Sequence, residues 1–281
     1  MISTSRRQQR LFNLTIIVVL CIGAVIAITP MLYMTATAFK ANAYVQEIPP
    51  RLIPLNPTLE NFQIAFTSRN FGQAFVNSAF VAGATTLLVT VLTSMMAYAF
   101  ARFEFRGKNP IFYSMLGMMM VPGVVLLIPQ FIEAKNLGLI NSLPGLILVY
   151  SSGPLAFNTF LLRGFFESLP RELEESAVID GANSFTIFWL IMLPLAAPAV
   201  STVAVFAFLG AWDEYLLALI FLTDESKRTL PIAIANFRGV QTTNWGLVFA
   251  GSLTAVIPTV LLFIFFQRYF IQGLTSGAVR G

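Results

Sequence analysis

The stretch Glu175–Pro194 reads ESAVIDGANSFTIFWLIMLP. Its first half is acidic and polar, its centre carries a glycine, and its second half runs into an apolar segment. Loops between membrane spans are ordinarily short and plain. This one has the makings of a short helix, a glycine stop and a second helix start, as a docking element for a partner protein requires.

Everything around that loop is written for a bilayer. The chain has 281 residues, of which 57% are hydrophobic and only 11% charged, with a mean hydropathy of +0.77. Soluble domains carry about a quarter charged residues, so the composition alone predicts an all-α integral membrane protein. Crossing the hydrocarbon core takes about 20 apolar residues in helix. Six stretches qualify, at residues 14–36, 75–100, 111–132, 143–163, 187–222 and 247–267. The fifth is too long for one straight span and is expected to include an interfacial stretch or a turn near Gly210. The first lacks a small-residue cleavage site after it and is expected to remain as an anchor.

Basic residues set the orientation. With the amino terminus inside, ten of the 17 Lys and Arg residues fall on the cytoplasmic side. The cluster Arg102, Arg106 and Lys108 between spans two and three is the most informative. Both termini of this multi-pass membrane protein are then expected in the cytoplasm. The net charge of +4 reads as orientation and lipid contact, not as nucleic-acid binding.

No histidine and a single cysteine, Cys21, exclude internal disulfides and leave no imidazole for a metal site or proton relay. Cys21 lies in an apolar run and is expected to be a small buried hydrophobe. We expect no catalytic residue, no metal and no cofactor. The chain also lacks the G-x-x-x-x-G-K-[ST] phosphate loop, so any ATP must be handled by another subunit.

Residues 37–73 form the largest external segment, marked by Pro49, Pro50, Pro54 and Pro57, and residues 61–66 are expected to make a short interfacial helix. Pro122, Gly123 and Pro129 interrupt span three, and Ser151, Ser152, Gly153 and Pro154 interrupt span four. Two readings fit these breaks, a bent helix lining a pathway that changes shape or a packing kink. Met115, Met118, Met119 and Met120 read as adaptable core packing or as a pliable gate. No repeat or low-complexity run is visible.

In the loop itself, Ser168 is expected to cap a helix. Pro170 would stand in its first turn, with Glu172, Glu174 and Glu175 at its positive end. Leu169, Leu173 and Ala177 recur every four residues as one apolar stripe. Gly181 stops the helix in a left-handed conformation. Asn183 or Ser184 then caps the next helix, which enters span five through Pro194 and Pro198. A helix lying on the lipid surface is the competing reading, but three glutamates would be repelled by an anionic leaflet.

These residues carry a resemblance. The membrane subunits of bacterial ABC importers share the pattern Glu-Ala-Ala, three residues, Gly, nine residues, Ile-x-Leu-Pro. Here it is Glu175, Ser176 and Ala177, three residues, Gly181, nine residues, then Ile191, Leu193 and Pro194. Every spacing agrees, and the one departure is Ser176 in place of alanine. Trp212-Asp213-Glu214-Tyr215, Thr229-Leu230-Pro231 and the ending RYFIQGLTSGAVRG from Arg268 are similar to the MalG-type permeases of the carbohydrate-uptake group. The resemblance covers essentially the whole chain.

It implies a single permease domain over residues 1–281 with six spans. Residues 168–186 would form the coupling helix region, which seats in a cleft of the ATPase subunit. Glu175, Ser176, Ala177, Asp180, Gly181, Ile191, Leu193 and Pro194 would be the coupling residues. The implied partners are a companion MalF-type permease, two copies of an ATP-binding subunit, an extracytoplasmic sugar-binding protein, the transported sugar and membrane lipid. The tail after the last span would insert near the ATPase dimer interface; a frayed end is the alternative.

Trp212, Asp213, Glu214 and Tyr215 stand near the outer interface if one straight helix rises from Pro194. They read either as contacts to the pathway or binding protein, or as a solvated aromatic belt. A self-contained ion-coupled transporter is the rival function, and it would need a charge at mid-span that this chain does not clearly offer.

Overall fold

The computed structural model describes residues 6–41, 45, 49, 51, 53–68, 70–239 and 243–278. The described residues are almost entirely helical, with one isolated antiparallel bridge between Arg238 and Thr243. That follows from the solvent: in hydrocarbon every backbone N–H and C=O must be satisfied within its own segment.

The chain divides into two compact units, residues 1–69 with 234–256 and residues 70–233 with 257–281. In the first, α1 (Arg6–Ala38) is followed in sequence by α2 (Glu60–Thr67); α2 covers the short helix expected at 61–66. Asn61 is fully buried, and its Nδ2 donates to the carbonyls of Ala38 (2.9 Å) and Lys40 (2.7 Å). The first is the last carbonyl of α1, which the helix itself cannot satisfy, and the second lies two residues beyond it. Gly246 approaches the Asn61 amide so closely that a Cβ would stand 2.7 Å from its oxygen. Cys21 is exposed, not buried, because the apolar stretch of α1 around it is uncovered within this chain.

The second unit is organised around α3 (Phe71–Arg102). Thr85, Val89, Thr93, Ala97 and Ala101 are buried at four-residue steps. Such a stripe of mostly small side chains lets helix backbones approach closely, which drives packing where there is no water to expel. Against α3 pack α6 (Leu143–Ser152), α7 (Leu155–Ser168) and the helix Ala197–Trp212. Between α3 and α6 come α4 (Lys108–Met118) and α5 (Gly123–Asn136). After α7 follow α8 (Glu172–Ile179), α9 (Ser184–Leu195), α10 (Ala197–Trp212), α11 (Leu216–Phe221) and α12 (Leu230–Ala235). The last helix, α13 (Trp245–Ala278), runs across the division.

Three single helices and three bent pairs are long and apolar enough to cross a bilayer, six spans when each pair counts as one. The bends are 105° between α4 and α5, 53° between α6 and α7, and 81° between α9 and α10. The first two fall at Pro122 and at Gly153–Pro154, where the sequence places its breakers. The third breaks span five, as its length demands, but not near Gly210. Gly210 lies inside a continuous helix; the chain bends at Ala196 and leaves helix only after Trp212. A straight rise from Pro194 to Asp213 is therefore replaced by the 16 residues of α10, about 24 Å. Met118, Met119 and Met120 are exposed and fill no core of this chain.

Candidate functional site

The loop between α7 and α9 departs from expectation at its start. Ser168 is the last residue of α7, and its Oγ donates to the Phe165 carbonyl at 2.7 Å. It caps nothing. Leu169 is extended, and α8 begins only at Glu172. Leu169 therefore never joins a helical stripe with Leu173 and Ala177, and Leu173 is exposed. Glu172, Glu174 and Glu175 do occupy the first turn, where the positive helix end favours them.

The far end of α8 is built as expected. Gly181 has φ +86°, donates to the Val178 carbonyl at 3.0 Å, and is followed by Ala182 donating to Ala177 at 2.9 Å. This pair of bonds closes the helix around a left-handed residue. No heavy atom lies within 4 Å of where a Gly181 Cβ would stand, so backbone conformation alone calls for glycine there. Asn183 Oδ1 then accepts the Thr186 N–H at 2.8 Å and caps α9.

Eight residues of helix have two faces. Residues three or four apart share one, so Glu174 goes with Ala177, and Glu175 with Val178 and Ile179. Ala177 is 7% exposed and packs in the core with Tyr98, Ala101, Phe166, Ile187 and Phe188. On the other face Glu175 is exposed, Val178 is 60% exposed and Ile179 85%. Ser176 and Asp180 on the same short segment are exposed too, as is Phe185 at the start of α9. Among the described residues, Glu175 and Asp180 form no ion pair or side-chain hydrogen bond. The loop thus presents two unpaired carboxylates beside bare apolar side chains. Ile191 and Leu193 lie partly buried against the core and Pro194 is exposed at the end of α9. These three support the loop from α9, whereas Glu175, Ser176 and residues 178–181 form its open end.

The inner face holds a cluster that the sequence reading missed. Arg102, the last residue of α3, donates from Nη2 to the Leu169 carbonyl at 2.8 Å. Its Nε lies 2.5 Å from Glu174 Oε1, with the two side chains 6% and 17% exposed. Tyr98 donates its hydroxyl to Glu174 Oε2 at 3.0 Å, and its ring meets Phe103, Phe166 and Phe188. Arg102 drew notice only as an orientation charge. Its partner is 72 residues away, beyond the reach of any local pattern.

The second candidate group separates residue by residue. Trp212 is buried, stacked on Phe208 and edge-on to Phe75. Glu214 accepts the Tyr150 hydroxyl at 2.5 Å and the N–H groups of Leu217 (2.7 Å) and Ala218 (3.0 Å). That carboxylate is committed to holding the start of α11 and to α6. Asp213, which follows the last residue of α10, and Tyr215 are exposed.

Comparison with known proteins converges on one group. Residues 90–276 match the family described as binding-protein-dependent transport system inner membrane component. The chain is 37% identical over 263 residues to the diacetylchitobiose uptake system permease NgcG of Streptomyces coelicolor, covering 93% of this chain and 87% of that protein. It is 34% identical over 278 residues to the trehalose/maltose permease MalG of Thermococcus litoralis, covering 98% and 99%. In fold it is similar to a chain of a bacterial ABC transporter that imports the acidic polysaccharide alginate. The TM-score is 0.82 at 24% identity, over 96% of this chain and all of that one.

Proposed function

Since this chain belongs to the binding-protein-dependent transport system inner membrane component family and is a multi-pass protein of the bacterial inner membrane, we propose that it is a permease subunit of an ATP-driven sugar importer. It forms half of the translocation pathway and couples to an ATPase through α8. Family membership removes the ion-coupled alternative. The observation that carries the coupling role is the open end of the 168–186 loop. Glu175 and Asp180 lie there unpaired, in the same short segment as exposed Val178 and Ile179.

Such a surface suits a cleft with a basic rim and an apolar floor. Carboxylates give charge-assisted hydrogen bonds to Arg or Lys, and apolar side chains gain by leaving water. Ser176 is small enough for close approach, and Gly181 sets the turn that presents it; Ala177, expected to be a coupling residue, instead faces the core and seats α8 on its own subunit. Ile191, Leu193 and Pro194 anchor that turn to span five. This chain performs no chemistry of its own; hydrolysis belongs to two ATP-binding subunits. A companion permease of the MalF type completes the pathway, and an extracytoplasmic binding protein delivers the sugar. Asp213 and Tyr215 are the members of the 212–215 group left open to meet it, with Trp212 and Glu214 holding them in place.

Mechanistically, ATP binding closes the ATPase pair and displaces α8. The spans then exchange an inward-facing for an outward-facing arrangement. A ligand shifts such an equilibrium only by binding the two states differently, so α8 must contact the ATPase differently before and after closure. Both termini lie in the cytoplasm, on the same side as α8. The test is Glu175→Lys in the assembled transporter: membrane insertion should be normal and ATP-driven sugar uptake abolished. Undiminished uptake by that variant would refute the coupling role.

A further inference from the structure

We infer that Tyr98, Arg102 and Glu174 form a clamp that carries movement of α8 into α3, a positioning role resting on the reading of α8 as the ATPase contact. A helix of eight residues is not stable or stiff by itself. Something must tie it to the spans if its displacement is to reach them. Adjacent acids divide that labour. Glu175 faces out, while Glu174, about 100° round the helix, turns inward to the end of α3.

Three polar tethers converge there, all from the last turn of α3. Tyr98 and Arg102 stand four residues apart on one face, and both reach Glu174. Arg102 also holds the Leu169 carbonyl, between α7 and α8. One planar guanidinium thereby grips the chain on either side of the start of α8, as a lysine point charge cannot. Below it, Ala177 and the rings of Tyr98, Phe166 and Phe188 leave no slack. A buried ion pair is an inefficient way to add stability compared with apolar packing. What it supplies is a fixed geometry, since both partners are strongly penalised for parting. α8 and the end of α3 should therefore move as one body.

The test uses the complete transporter, reconstituted with its companion permease, ATPase and binding protein. ATP hydrolysis is measured per assembled complex, with and without the binding protein. The native complex should be stimulated by it. Arg102→Ala and Glu174→Gln should keep basal hydrolysis and lose stimulation by on the order of fivefold or more. Combining them should add little to either alone, and Arg102→Lys should recover part of the loss. If Arg102→Ala does not assemble, Glu174→Gln decides, because it keeps the side-chain shape and the Tyr98 hydrogen bond. A purely structural role predicts less assembled complex with unchanged stimulation per complex, which overturns the inference. Glu175→Lys run in parallel separates the two claims. If it uncouples while the clamp variants do not, only the clamp is wrong; if neither uncouples, the reading of α8 itself fails.

Discussion

At the scale of single residues, the site turns on which way one backbone dihedral points. Gly181 sits at φ +86° with open space around its absent side chain. Any substitution there is opposed by backbone strain, not by collision. For an ordinary L-residue the left-handed conformation costs roughly 1–2 kcal/mol, and asparagine tolerates it best while a β-branched residue tolerates it worst. Gly181→Val should therefore abolish ATP-driven uptake while the protein still inserts. Gly181→Asn should retain uptake within about threefold of the parent. Equal losses in the two variants, measured in the same vesicles, would mean that the glycine serves something other than the turn. Glu214 illustrates the opposite case. Its position in an apolar neighbourhood allows a contact role or a structural one on sequence grounds, and its oxygens are occupied by Tyr150, Leu217 and Ala218. A carboxylate satisfied this fully is a joint.

At the scale of elements, local signals were legible wherever the cause was local. The breaks at Pro122 and Pro154, the glycine stop and the asparagine cap of α9 all follow from residues within one turn of the feature. Ser168 failed because its hydroxyl has a competing local acceptor, the Phe165 carbonyl, inside the helix it ends. The 81° bend stands at Ala196, and not near Gly210, for a different reason. A wide turn over Phe188–Met192 precedes Pro194, with the Leu193 N–H reaching back to Phe188. It accommodates the proline ring before the helix changes direction. On α5–α6 and α11–α12, a polar knot joins two loops. Asn141, at φ +56°, donates from Nδ2 to Asp224 at 2.8 Å and accepts the N–H groups of Thr223 and Asp224. The Asn141 hydrogen bond, aided by Lys227, holds the Asp224 carboxyl below its usual range. A depressed carboxylate stabilises the fold above its unfolded value, and that contribution disappears as pH falls through the folded one. Amide protection at Thr223 and Asp224 should thus be constant from neutral pH down to about 4, the ordinary Asp value, and fall only in stronger acid. Loss of protection between pH 7 and 5 would contradict this account of the knot.

At the scale of the whole molecule, the last helix bears on assembly. α13 continues as helix to Ala278, past the apolar stretch ending at Gln267. The sequence reading left this segment as a tail either docked or frayed, and residues 279–281 lie outside the described residues. A helical extension beyond the bilayer is a shape suited to contact with the ATPase pair. Deleting residues 274–281 should then reduce uptake with insertion intact; full activity after the deletion would show that the segment contacts nothing that matters.

Composition, span count and the helix–glycine–helix loop were fixed by the chain itself, because they depend on hydropathy summed over about 20 residues or on backbone preferences within one turn. What only the folded structure decided is which of two neighbouring glutamates faces outward. Glu174 and Glu175 are chemically identical and both stand in the first turn of α8. The choice is made by Arg102 and Tyr98 on a distant helix, and burial of one carboxylate against a charge from α3 leaves the other for a partner.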